Sequence, residues 1–136
     1  MKLANWSEEY CIGEDELDSQ HKRMFELVNE LNDAMVSGHS QEALASIMAQ
    51  LIAYTQTHFA YEEQVMLNND YINYIEHKKM HDALAGYALE IKRQIDEGNM
   101  CIDISLMNFL LEWVENHVKN EDKKIGIFLE EKRKLS

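Results

Sequence analysis

The sequence predicts an all-α fold: an up-down-up-down antiparallel four-helix bundle with an extended N-terminal arm and a short C-terminal helical tail. Three observations point there. The 136 residues include no proline and only five glycines, whereas all-β domains of this length need frequent Gly/Pro turns. Apolar residues recur three and four positions apart along four long stretches, the period of one helix face. Short polar breaks separate those stretches, and short connections between long helices make consecutive helices antiparallel neighbours.

Residues 1–18 lack helical periodicity and read as an arm, with Trp6, Tyr10, Ile12 and Leu17 available to pack on the bundle. The bundle itself is expected over about 19–122 and the tail over 123–136, all in one domain, since this length suffices for one core. The first helix is expected from about His21 to Val36, capped by Asp18 or Ser19, with the stripe Met24, Phe25, Val28, Leu31 and Met35 and a stop at Ser37-Gly38. The second is expected from Ser40 to about Leu67, with Leu44, Ile47, Leu51, Tyr54, His58, Glu62 and Val65 on one face and Asn68-Asn69 as the break. The third is expected from Asp70 to about Glu97, on Tyr74, His77, His81, Leu84, Ala88, Ile91 and Ile95, ending at Gly98-Asn99. The fourth starts near the cap Asp103 and carries Leu106, Leu110, Trp113 and His117 before Asp122 and a partly helical tail.

Composition excludes several partners. A formal net charge of −12 repels nucleic acid and anionic membrane surfaces, and its plain consequence is solubility. Cys11 and Cys101 form no CxxC pair and no disulfide framework, which fits two unpaired thiols in a reducing compartment. Met1 to Trp6 begin no apolar run of signal-peptide length, and no stretch approaches the roughly 20 apolar residues of a membrane span. A cytoplasmic monomer is expected, an oligomer staying open.

The informative residues are the polar ones that interrupt the apolar stripes. An unpaired buried charge costs several kcal/mol, so each needs a partner. His58 and Glu62 are four apart, about 40° around the helix, and point the same way from adjacent turns. His77 and His81 repeat that geometry. His21 adds a donor from the first helix, and His117 and Asp122 add two from the fourth. That last pair is five apart, about 140° on an ideal helix, so a wide turn near Val118 to Glu121 is expected to bring both to one site. Antiparallel helices place all seven towards one end of the bundle. A lone histidine on an apolar face is usually a hydrogen-bonded core residue, but seven donors converging on one layer from four helices indicate a metal site. His39 follows Gly38 in a turn and is assigned no role. Glu63 is turned away from His58 by its offset of five and reads as a solvated or supporting carboxylate.

Five histidines and two carboxylates exceed one tetrahedral zinc site. Calcium and magnesium prefer oxygen ligands. Imidazole with carboxylate suits iron, and also manganese, copper or zinc. Two carboxylates between two ions are natural bridges, and seven ligands on two ions leave a position open for an exogenous molecule.

The motifs Asp18-x-x-His21, His58-Phe59-x-x-Glu62-Glu63-x-x-Met66, His77-x-x-x-His81 and Trp113-x-x-x-His117-x-x-x-x-Asp122 occur together and in order. In these the chain resembles the hemerythrin family, in particular its bacterial single-domain members, from Trp6 to about Phe128. The resemblance implies a non-haem centre of two iron ions (Fe2+/Fe3+). One ion would take His77, His81 and His117. The other would take His21 and His58 and keep the open position. Glu62 and Asp122 would bridge, beside an oxo or hydroxo group. It also implies an apolar oxygen pocket at Met24, Phe59, Trp113 and Val118, positions that ordinary core packing explains equally well.

The function this implies is reversible dioxygen binding, as a carrier, store or delivery protein. The alternatives are an oxygen or redox sensing module and a di-iron enzyme acting on peroxide or nitric oxide. Carboxylate-rich oxidase and ferritin sites use a Glu-x-x-His motif from each of two helices. This sequence contains none, so a protein that is not an enzyme is expected, with weak oxidase or peroxidase activity left open.

Overall fold

The computed structural model describes residues 5–135. The first four residues of the expected arm and Ser136 of the expected tail lie outside them. Four long helical stretches make up the bundle: α1 (Asp15–Val36), α2 (Gln41–Asn68), α3 (Tyr74–Asp96) and a last one built from α4 (Ile104–Asn116), a π-helical turn (His117–Asp122) and α5 (Lys123–Leu135). Helix α1 packs against α2 and α4, and α2 against α3. Among the described residues no helix is long and apolar enough to cross a membrane.

The caps explain where the helices begin. Ser40 and Asp103 accept from the backbone amides of Ala43 and Leu106, as their sequence positions predict. Helix α1 departs from expectation. It starts at Asp15, six residues before His21, because Glu14 accepts from the Leu17 amide at 2.6 Å and Asp15, Glu16 and Asp18 place negative charge at the positive end of the helix. Asp18, expected as the cap, instead accepts from the amides of Ile12 and Gly13 at 2.7 and 3.2 Å and so ties the arm to the first turn.

The arm therefore ends at Glu14, not at residue 18, and it is not extended throughout. A 3-10 turn covers Glu8–Tyr10. Tyr10 and Ile12 are buried, and the rings of Trp6, Tyr10 and Phe25 contact one another at centroid distances of 4.8 to 5.6 Å. Leu17 belongs to α1 and is wholly buried. Ile12 also seats Gly126 of α5. A Cβ on that glycine would overlap the Ile12 carbonyl and lie 2.7 Å from the Ile12 Cβ.

Three helices end alike, with the chain turning through a left-handed residue. Gly38 and Gly98 supply it after α1 and α3, at φ 80° and 79°. After α2 the position falls to Asp70, at φ 55°. The Asp70 amide donates to the Leu67 carbonyl and the Tyr71 amide to that of Met66, satisfying orphan carbonyls of the last turn. This turn delays α3 to Tyr74, four residues beyond the expected start at Asp70.

The main core fills the bundle between Phe25, Leu31, Leu44, Met48, Met107 and Val114. A smaller cluster of Met66, Tyr71 and Ile125, with Phe128 packed on it, closes the other end. The tail is helical over Lys123–Leu135 and contributes Ile125 to that cluster. Cys11 and Cys101 are both free thiols.

Candidate metal centre

Between those two apolar clusters lies a layer of buried charge. His21 comes from α1, His58 and Glu62 from α2, His77 and His81 from α3, and His117 and Asp122 bound the π turn. All seven are buried, with Glu62, Asp122 and His21 at 0% exposure. The π turn is the wide turn the spacing called for. Its i→i+5 bonding brings His117 and Asp122, five apart, onto one face.

Each carboxylate divides its oxygens between two sets of histidines. Glu62 Oε1 lies 2.7 Å from His77 Nε2 and 3.0 Å from His81 Nε2, while Oε2 lies 3.4 Å from His58 Nε2 and 3.6 Å from His21 Nε2. Asp122 Oδ1 lies 3.2 Å from His77 Nε2 and 3.0 Å from His117 Nε2, while Oδ2 lies 2.8 Å from His21 Nε2. The donors thus form two groups, within each of which the ligand atoms lie within 4.8 Å of one another: Glu62, His77, His81, His117 and Asp122, and His21, His58, Glu62 and Asp122. Both carboxylates belong to both groups.

The donor set fits two cations. Glu62 Oε2, both Asp122 oxygens, His81 Nε2 and His117 Nε2 are buried without a hydrogen-bond partner. Buried polar atoms are normally paired, so this concentration of orphans at facing positions marks where something positive belongs. His21 Nε2 and His58 Nε2 face each other at 3.1 Å, a contact that one shared cation would satisfy on both sides.

Protonation answers the same charge in the protein alone. Burial opposes a proton on His21 and on His77, but contacts with Asp122 and Glu62 outweigh it and raise both to about 9. Burial lowers His58, aided by the charge of neighbouring His21. Burial also works against the charge on Glu62 and Asp122, yet the surrounding histidines hold both below the usual carboxylate range. Two imidazolium groups thus balance two carboxylates in the same layer.

Two further side chains stand behind the histidines. His58 Nδ1 lies 2.7 Å from Gln20 Oε1, and His81 Nδ1 lies 2.8 Å from Glu63 Oε2. The sequence had left Glu63 open between solvent and a supporting role, and this contact places it behind His81. Gln20 escaped notice. Its one signal was a polar residue beside His21, facing towards α2.

The four candidate pocket residues sit in or beside this layer. Met24 and Val118 are wholly buried. The Phe59 ring stacks on His81 at 3.9 Å and lies 5.9 Å from His58. Trp113 lies 6.1 Å from both Phe59 and His117, on the side of the His77, His81 and His117 set. His39 is exposed in its turn, away from the site.

Comparison with known proteins gives a consistent answer. The model of the hemerythrin HHE cation binding domain matches residues 13–126. The chain is 33% identical to the bacteriohemerythrin of Pseudomonas aeruginosa (strain PAO1), over 86% of this chain and 75% of that protein. It is 30% identical to the bacteriohemerythrin of Methylococcus capsulatus (strain Bath), over 93% and 96%. The crystal structure of wild-type hemerythrin superposes with a TM-score of 0.88 at 29% identity, covering 93% of this chain and 98% of that one. Sequence kinship over most of the chain and a shared bundle lead to one conclusion: the chain belongs to the hemerythrin family.

Proposed function

We propose that this protein binds dioxygen reversibly at a pair of iron ions held by His21, His58, Glu62, His77, His81, His117 and Asp122. The carrying observation is the division of the two carboxylates. Each turns one oxygen to each histidine set, an arrangement suited to bridging two ions. One set offers five donor residues and the other four, so the His21 and His58 half has room for an exogenous molecule. When bound, the two ions would supply the electrons that a dioxygen molecule takes up and returns.

The protein's own residues bind, orient and exclude water. Histidine and carboxylate together suit iron, and a mostly neutral imidazole shell favours binding and release over oxidation of a substrate. His58 donates its Nδ1 proton to Gln20, which leaves Nε2 free as a ligand atom. Met24, Phe59 and Val118 close the layer with apolar surface, keeping bulk water and its protons from the open half.

The test is a cycle. Ferrous iron is loaded without air, oxygen is admitted, and the solution is purged. Reversible binding returns the starting spectrum over many cycles. Ferric product after one cycle, or turnover of peroxide or nitric oxide, would instead make the protein an enzyme.

A further inference from the structure

Two hydrogen bonds behind the donors differ in chemistry. On one half, His58 Nδ1 donates to the amide oxygen of buried Gln20 at 2.7 Å. The amide cannot flip to present its nitrogen, because Gln20 Nε2 donates to Glu16 Oε1 at 3.0 Å. On the other half, His81 Nδ1 donates to a carboxylate oxygen of Glu63 at 2.8 Å. Glu63 is 18% exposed, and Lys78 Nζ lies 3.7 Å from it, so its charge is only partly offset. His21 Nδ1, on the Gln20 side, is buried with no hydrogen-bond partner.

We propose that Gln20 and Glu63 are positioning residues that make the two halves of the centre unequal, a neutral amide setting His58 and a carboxylate setting His81. The proposal rests on the ligand set above. An acceptor behind a ligating imidazole fixes which nitrogen carries the proton, fixes the ring's direction and raises its donor strength. An anionic acceptor does this more strongly than a neutral one. The half with five donors therefore also has the stronger outer support. The half with four donors has one oriented imidazole, His58, and depends on Gln20 for it. The ion in the His21 and His58 half is the more weakly held of the two, and Gln20 decides by how much.

Zinc serves as the probe, because it takes the same ligands without redox change. The metal-stripped chain is titrated with Zn2+ against a competing chelator, and helix content is checked by circular dichroism for each variant. The unsubstituted chain should take two ions. Gln20→Ala should weaken the looser ion about 10- to 100-fold and leave the tighter one within about twofold, and Glu63→Ala should do the reverse. Gln20→Glu should tighten the looser ion, and Glu63→Gln should recover much of what Glu63→Ala loses. In the zinc-loaded protein, the slowly exchanging His58 Nδ1–H proton resonance should disappear in Gln20→Ala and persist in Glu63→Ala, a response that simple loss of packing would not produce. Fewer than two ions on the unsubstituted chain would overturn the ligand set and this inference with it. Two ions whose affinities stay unchanged, or fall equally for both sites in either variant, would overturn this inference alone. Neither result depends on whether dioxygen binds.

Discussion

Raising the pH should destabilise the metal-free protein and tighten metal binding. In the metal-free layer His21 is held protonated, with its proton lost near 9 against an ordinary value of 6.5. A group raised in this way stabilises the fold fully below its unfolded value and loses that contribution as pH climbs through the folded one. At about 1.4 kcal/mol per pH unit, the His21 proton is worth on the order of 3 kcal/mol below pH 6.5. His77 is shifted in the same direction and adds to the slope. Glu62 and Asp122 are lowered, so their contribution is present above the ordinary carboxylate range and does not change across this window. Urea unfolding in the presence of chelator, at fixed ionic strength, should therefore show a midpoint that falls steadily from pH 6.5 to 9. Metal binding must displace those same protons, so calorimetry in buffers of different ionisation enthalpy should register proton release on loading near pH 7.5. A midpoint that is flat or rises over that window, or loading without proton release, would refute the charge balance inferred for the layer.

Other perturbations address the ligands, the pocket and the frame. His81→Ala should lose metal and lower stability, because its partners would remain buried without it; full metal retention by elemental analysis would remove His81 from the ligand set. Val118→Ala, at a wholly buried position, should retain metal but shorten the life of the oxygenated state, followed as the decay of its absorption, by opening a cavity beside the layer. Asp70→Gly should raise the urea midpoint, by about 0.5–1 kcal/mol in stability, by relieving the left-handed backbone of a residue with a Cβ. Gly126→Ala should lower stability by about 1–3 kcal/mol, since the added methyl meets the Ile12 backbone and the arm must shift; an unchanged melting temperature would show that the arm is not seated there.

The helix pattern was legible because burial imposes a period. The stripes through Leu44, Leu51 and His58, and through His77, His81 and Ile91, alternate at the spacing of one helix face, and caps such as Ser40 and Asp103 leave a local signature. Helix starts were less legible where two capping groups competed. Asp18 had the side chain for the role, but Glu14 took it and Asp18 turned to the arm, a choice that depends on where Ile12 and Gly13 come to rest. The third helix was expected from Asp70, directly after the Asn68-Asn69 break, yet the closing turn of α2 required a left-handed residue and used Asp70, so α3 begins at Tyr74.

Sequence alone determined which side chains are the candidate ligands and that they share a layer, because intervals of four and five along a helix set direction and antiparallel packing sets depth. It also pointed to a wide turn between His117 and Asp122, which the π turn supplies. Only the tertiary structure decided how the carboxylate oxygens divide between the two histidine sets, and which residues stand behind the rings. Those outcomes depend on distances of a few tenths of an ångström between different helices, and no spacing within one helix encodes them. Gln20 beside His58 is the clearest case: 38 residues apart in the chain, they meet at 2.7 Å because α1 and α2 pack together.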